Sequence, residues 1–405
     1  MLRKKILNSI DKASSFKIIF YSIIVYIFVM FLMIGLVKSN GFYKYFYIND
    51  GLFDVEIYVN IAKNGYNSIG SFAMFPLWPF LIQIVSRIFY TENYMLIANL
   101  MALILFFISL PILWSFFKNV FEKRMALLLF LCFVFNPLSI FHSFGYSESL
   151  TTLEFSIWLV LIYRIMNTKI KKSLLKIKIE YLLLILISYC IGLSRPLFVQ
   201  LFLSIILTFF ILKYLKVKIK NYLFPFGISL ISIFAGFSTF ALYAYTKGFG
   251  FGASFRAQNE WNRVLGLHWD ILFHPHSVGG SDNVLNWDLQ AFWIPLIIFL
   301  AVIIKFLISK KNIITDKNQI QSDAIFWVSL LFSCAHSAVQ FLTYDLFFST
   351  SRFIFALPLF FYVIGKTLNA FNFKYKYYIL IFYFIYSFSF FIYWWTRFSR
   401  EAWMG

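Results

Sequence analysis

The 405-residue chain is short of charge, of acid and of cysteine. Charged residues make up 13% of it against 61% hydrophobic, too few to clothe a water-soluble protein of this length, which excludes the soluble classes. Only 17 acidic residues face 36 Lys and Arg, for a net charge of +19. The basic residues fall in short clusters between apolar runs, as at Lys169, Lys171 and Lys172. That is the pattern of cytoplasmic loops against anionic membrane lipid, and it argues against a nucleic-acid partner. The three cysteines, Cys132, Cys190 and Cys334, sit in apolar runs at unrelated spacings, giving neither a disulfide framework nor a metal motif. Five scattered histidines add only a weak cluster, His274 and His276 with Asp270, so no metal is assigned. A phosphate-cradling Gly loop, a nucleophile elbow and a dinucleotide fingerprint are also missing, and no nucleotide cofactor is expected. Alternating ten-residue segments are absent too, which excludes an outer-membrane barrel.

What is present is a succession of long apolar runs. At about 20 residues per crossing, they predict an all-α polytopic integral membrane protein of about eleven transmembrane helices, forming one membrane-embedded domain over 1–405. Arg3, Lys4, Lys5, Lys12 and Lys17 precede the first run, 16–37, which reads as a retained signal anchor that starts in the cytoplasm. Basic clusters at 164–178, 213–220, 305–317 and 366–376 alternate with poorly basic loops at 194–196, 247–289 and 343–351, placing those loops together outside the cytoplasm. The first half holds a conflict: three apolar runs, 16–37, 72–90 and 94–117, cannot return the chain to the cytoplasm at Lys118, Lys123 and Arg124. Either 72–90, with Pro76 and Pro79, is a broken or re-entrant segment, or 118–124 lies outside and the break comes near Pro137.

Two outer loops exceed what connection requires, 38–71 and 247–289. In the first, Phe53, Ile57 and Ile61 recur every four residues, predicting a helix in the interface plane with Asp54, Glu56, Asn60 and Lys63 on its other faces. The second carries Arg256, Glu260, Trp261, Arg263, His268 and Trp269. Ionisable residues at membrane depth are costly unless used or paired, which singles out Asp50, Asp54, Glu148, Glu154, Arg195, Arg256, Glu260, Asp345 and Arg352. Asp54 is either a general base at the lipid–water boundary or an ordinary solvated carboxylate. Tyr146 and Glu148, in the polar break 136–150, form either a wall of an active site or a capped helical hairpin. Arg195 and Arg352 suit a lipid phosphate and equally suit interfacial anchors.

Taken in order, these elements resemble the PIG-V family. Phe53-Asp54 through Ile61-Ala62 and Gly65-Tyr66, then Ala73 to Pro79, are similar to its W-D-x-x-H-F-x-x-I-A-x-x-G-Y and A-F-F-P-x-x-P patterns. Asn136-Pro137, Ser139-Ile140-Phe141 and Gly145-Tyr146-Ser147-Glu148-Ser149-Leu150 resemble its N-P-x-x-x-F and Y-S-E-x-L block. Arg195, Tyr243-Ala244-Tyr245 and Ser351-Arg352-Phe353 continue the series. Departures are Phe53 for the family's Trp, Ile57 for its His and Pro196 for its Asn. The resemblance implies a GT-C glycosyltransferase bundle with extracytoplasmic active-site loops, a polyprenyl-phosphate sugar as donor, typically mannose, and Asp54 as base in an inverting transfer. A lipid or glycan acceptor and a prokaryotic inner or plasma membrane complete that expectation. A departing polyprenyl phosphate needs cations, for which Arg195, Arg352 and Arg256 are the candidates. Tyr146, Glu148, Glu260, Trp261 and His268 are then the candidates for holding substrate. The competing class is a transporter or flippase of lipid-linked saccharides.

Overall fold

The computed structural model describes residues 14–37, 53–167, 174–217, 220–261, 263–276, 282–308, 323–344, 346–347, 349–371 and 373–399; Asp50 and Asp345 lie outside them. The chain runs through α1 (Ser15–Val37), α2 (Phe53–Asn64), α3 (Leu77–Ile88), α4 (Tyr94–Val120), α5 (Lys123–Val134), α6 (Glu148–Asn167), α7 (Leu174–Ser194) and α8 (Phe198–Tyr214). It continues through α9 (Lys220–Thr246), α10 (Ala253–Ala257), α11 (Asp270–Phe273), α12 (Asp282–Ile308), α13 (Ala324–Thr343), α14 (Thr350–Phe355), α15 (Pro358–Ala370) and α16 (Lys376–Ser399). No strand occurs among the described residues. Helix is what lipid demands, because it satisfies every backbone polar group within one segment. Among the described residues seven helices, α1, α4, α6, α9, α12, α13 and α16, are long and apolar enough to cross a membrane. This is a multi-pass membrane protein, although that measure does not reach the expected eleven. Helices α5, α8 and α15, of 12, 17 and 13 residues, run beside the long ones.

The bundle has two chemically different ends. At one, Lys118 Nζ lies 3.4 Å from Ser15 Oγ, Lys376 lies 3.5 Å from Glu122, Lys366 lies 2.8 Å from Asp323, and Lys305 bonds the Ala370 carbonyl. Residues 118–124 therefore share an end with the start of α1, which resolves the topological conflict. The opposite end holds Asp54, Glu148, Arg195 and Arg352. Segment 72–90 does not form one long helix. A 3-10 turn, Gly70–Ala73, is followed by the Pro76 break and the 12-residue α3, about 18 Å long and too short for a bilayer core of about 30 Å.

Two sequence expectations are corrected. The buried residues of α2 are Val55, Tyr58, Val59, Ile61 and Ala62; of the row read from sequence Ile61 is buried and Ile57 half-exposed, and the side chain of Phe53 lies outside the described residues. Ala98 and Val55 close on Gly145, which draws the row through Val55 into the bundle as well. The outer loop read as 247–289 ends by 281, because α12 already begins at Asp282 with its polar first turns. Within it the chain folds into α10, a 3-10 turn Gln258–Trp261, and α11.

Two close backbone approaches set the site. Helices α7 and α9 cross at Gly192 and Gly236, where a Cβ on either would overlap the Ile233 or Tyr189 carbonyl; small residues are what allow helices in lipid to pack this tightly. That crossing lies three residues before Arg195. At Gly145 a Cβ would fall 2.6 Å from the Ala98 Cβ and 2.8 Å from Val55 Cγ1, so the loop before α6 presses against both α4 and α2.

Candidate active site

Every residue from Cys132 to Leu150 is buried, so the polar break of the sequence is an interior wall. After α5 the chain turns through a 3-10 segment, Pro137–His142, anchored by hydrogen bonds at both its ends. Asn136 Nδ2 donates to the Phe133 and Phe355 carbonyls at 2.6 and 3.2 Å. Tyr26 OH donates to the Ser139 carbonyl at 2.6 Å. The Gly145 N–H donates to Asn99 Oδ1 and its carbonyl accepts from Trp78 Nε1, both at 2.7 Å. These bonds fix Tyr146, Ser147 and Glu148 at the start of α6.

Four charges meet there. Arg352 Nη2 donates to Asp54 Oδ2 at 2.6 Å, and its Nε lies 2.6 Å from Glu148 Oε1. Arg195 Nη1 approaches the same Glu148 oxygen at 2.8 Å. The two contacts to Glu148 are off the hydrogen-bond axis and are ionic rather than directional. Side-chain exposure is 13% at Asp54 and 7% or less at the other three, a burial that two isolated charges would not survive. Two carboxylates against two guanidiniums cancel. Helix ends add to the balance, since Asp54 and Glu148 occupy first turns and Arg195 follows the last residue of α7. Aromatic faces complete the cage: Arg352 lies 4.8 Å from the Tyr146 ring centroid and 5.2 Å from that of Phe141, and Arg195 lies 4.6 Å from that of Phe353. Burial opposes the Arg352 charge, but Glu148 and Asp54 outweigh it and hold its pKa above the ordinary guanidinium range.

The short helix carrying Arg352 is held from outside. Six residues cannot sustain a helix alone. Asp288 of α12, fully buried, accepts the Ser351 N–H at 2.7 Å, and Thr350 Oγ1 donates to Gln340 at 2.9 Å. Ser349, just before the helix, adopts the left-handed backbone at φ 53°, a strained conformation for a residue other than Gly.

The sequence-nominated residues separate into two groups. Asp54, Glu148, Arg195, Arg352 and Tyr146 converge. Arg256 instead donates to the Phe249 carbonyl and is exposed, and His268 is 2.8 Å from the Val264 carbonyl through Nε2. Glu260 lies against Gly70 across a cleft from the cluster's helix α2. The side chain of Trp261 lies outside the described residues. His274 and Asp270, 3.8 Å apart, are both open to solvent, and among the described residues no three His, Cys, Asp or Glu groups are placed to hold a metal.

Three participants were not singled out from sequence. Tyr58, one turn after Asp54, shares a 3.0 Å hydrogen bond with Ser147, and burial pushes its phenol up to about 12. Its i+4 spacing from Asp54 was the available signal. Asp288 was visible as a lone acid entering an apolar run. Half-buried Arg263 has its pKa lowered by burial, against the raising effect of Tyr344 and Asp54, and among the described residues it has no carboxylate in ion-pair range.

No protein-family model matches the chain, and no curated protein does. Solved structures are similar to it at low identity. ArnT from Cupriavidus metallidurans bound to undecaprenyl phosphate is 10% identical over 88% of this chain and 61% of that one, with a TM-score of 0.49. The archaeal oligosaccharyltransferase AglB from Archaeoglobus fulgidus, in complex with an inhibitory peptide and a dolichol-phosphate, is 11% identical over 97% and 57%, with a TM-score of 0.47. The chain spans less than two thirds of the length of either.

Proposed function

We propose that this protein is a membrane glycosyltransferase of the GT-C, PIG-V-like kind, moving a sugar, mannose first among candidates, from a polyprenyl-phosphate donor to a lipid or glycan acceptor outside the cytoplasm. The carrying observation is the convergence of Asp54, Glu148, Arg195 and Arg352, from four separate motif elements, on one buried cluster at the end opposite the basic loops. By the positive-inside bias, that end faces away from the cytoplasm.

Chemically, Arg352 holds Asp54 by Oδ2, and among the described residues Oδ1 carries no hydrogen bond. Oδ1 takes the proton of the acceptor hydroxyl as that oxygen attacks the anomeric carbon from the face opposite the phosphate. The bond to the phosphate oxygen breaks with its electron pair, inverting the centre and leaving a polyprenyl phosphate whose charge falls beside the arginines. Arg195 and Arg352 are already half-committed to Glu148, so Arg263 supplies the cationic excess. A position at helix ends, reachable by both a lipid donor and a polar acceptor, favours an enzyme over a transporter, whose site belongs at the bilayer midplane.

The test is transfer from radiolabelled polyprenyl-phosphate mannose to a membrane lipid and glycan extract. Wild-type protein transfers label and Asp54→Asn loses about 100-fold or more. Equal transfer by both removes Asp54 as base, and a wild type inert toward every polyprenyl-phosphate sugar supplied overturns the proposal.

A further inference from the structure

Helix α2 has a second working side. At about 3.6 residues per turn, Glu56, Asn60, Ile57 and Ile61 follow one another around the side that Asp54 borders, and all four line a cleft of about 540 Å³. The opposite wall is Asn67, Ser68 and Gly70 of the loop before α3, closed by Glu260 from the turn after α10. The Glu260 carboxylate lies directly against Gly70, in the space a Cβ there would take. The size lies within the range of small-ligand pockets, about 300–1,000 Å³, but the lining is more polar than such pockets usually are. Its hydrogen-bonding groups are carboxylates, carboxamides and a serine hydroxyl, which match a hydroxyl-rich ligand.

Its charge is also distinctive. Among the described residues no Lys, Arg or His lies in ion-pair range of Glu56 or Glu260, so the cleft presents two uncompensated carboxylates. A cation excess gathers instead at Arg195, Arg352 and Arg263. The two sides of Asp54 therefore sort ligands by charge, phosphate toward the arginines and uncharged polar matter toward the cleft.

We infer that this cleft is the acceptor subsite and that it takes the non-anionic, hydroxyl-rich end of a saccharide, excluding uronate and phosphorylated sugars. This rests on the glycosyltransferase reading of Asp54. Ile57 and Ile61 form an apolar floor under the ring, Glu56 and Glu260 accept from its hydroxyls, and the reactive hydroxyl reaches Asp54 at the rim.

Saturation-transfer NMR on the detergent-solubilised full chain, without donor, tests it. The probes are cellobiose, mannobiose and N,N′-diacetylchitobiose, with glucuronyl-β1,4-glucose as the anionic counterpart of cellobiose. At least one neutral disaccharide binds, and the uronate binds about tenfold or more weakly than the best of them. In the Glu56→Gln, Glu260→Gln double variant that ratio collapses to about threefold or less, a relative gain of uronate binding that misfolding does not produce. The inference is overturned if no neutral disaccharide binds, if the uronate binds wild-type protein equally well, or if discrimination survives in the variant. Because donor is absent, these outcomes are separate from the fate of Asp54 in the transfer assay.

Discussion

Arg352 and Asp54 are joined at 2.6 Å across 298 residues of chain. Neither belongs to a long helix: Asp54 lies on a 12-residue helix beside the bundle end and Arg352 on a six-residue helix tethered by Asp288. The site therefore joins two residues from parts of the chain that do not cross to Glu148 and Arg195 at the ends of long helices.

Removing Arg352 leaves buried Asp54 without its cation and Glu148 with Arg195 alone, and breaking a buried ion pair in this way costs about 3–5 kcal/mol. Arg352→Met lowers the unfolding midpoint in detergent, and adding Asp54→Asn recovers part of the loss because the stranded charge goes with it. Arg352→Lys falls between, keeping charge but losing the planar fork and its stacking on Tyr146 and Phe141. A double variant no more stable than Arg352→Met alone would show that the ion pairs are not what holds this region.

Gly145 transmits the packing of α2 and α4 to Glu148. Gly145→Ala drives a methyl into Ala98 and Val55, an overpacking worth about 1–3 kcal/mol. Ala98→Gly removes the nearer obstacle, so the pair is more stable than Gly145→Ala alone in the same measurement. Additive losses would contradict the close approach.

The broad architecture was legible because lipid enforces simple rules: long apolar runs became helices, and Lys118, Lys366 and Lys376 gathered at one end as the positive-inside bias requires. Asp54, Glu148, Arg195 and Arg352 were legible because charge at membrane depth needs a reason. Their mutual pairing was not, since no periodicity links residues 54 and 352. The face of α2 was legible only in part, since Ile61 is buried as its row suggests but Val55, which meets Gly145 beside Ala98, carries no periodic signal that says so. Arg256 drew notice for its charge alone, yet an exposed loop lets such a side chain satisfy itself locally, as it does on the Phe249 carbonyl. Arg263, seven residues on, carries no sequence signal that sets it apart.

Asp288 reaches the helix of Arg352 through the Ser351 N–H. Asp288→Asn retains an acceptor for the Ser351 N–H and keeps most transfer activity, whereas Asp288→Ala orphans that N–H at a cost of about 1–3 kcal/mol and loosens Arg352. The loss appears mainly in kcat, with KM for the donor less changed, and the Asn variant rescues it. Equal impairment by both variants would mean that the Asp288 charge, not its hydrogen bond, matters.

Thiol labelling checks the side on which segment 72–90 stays. Ser68 precedes the Gly70–Ala73 turn beside the cleft, while Asn119 ends α4 next to the start of α1, and both are exposed. If α3 stays at the bundle end that holds Asp54, only α4 separates these positions. In a background with Cys132, Cys190 and Cys334 replaced by Ala, Ser68→Cys reacts with a membrane-impermeant maleimide from outside intact cells. Asn119→Cys reacts only after the membrane is opened. Labelling of both from one side would require 72–90 to cross as well.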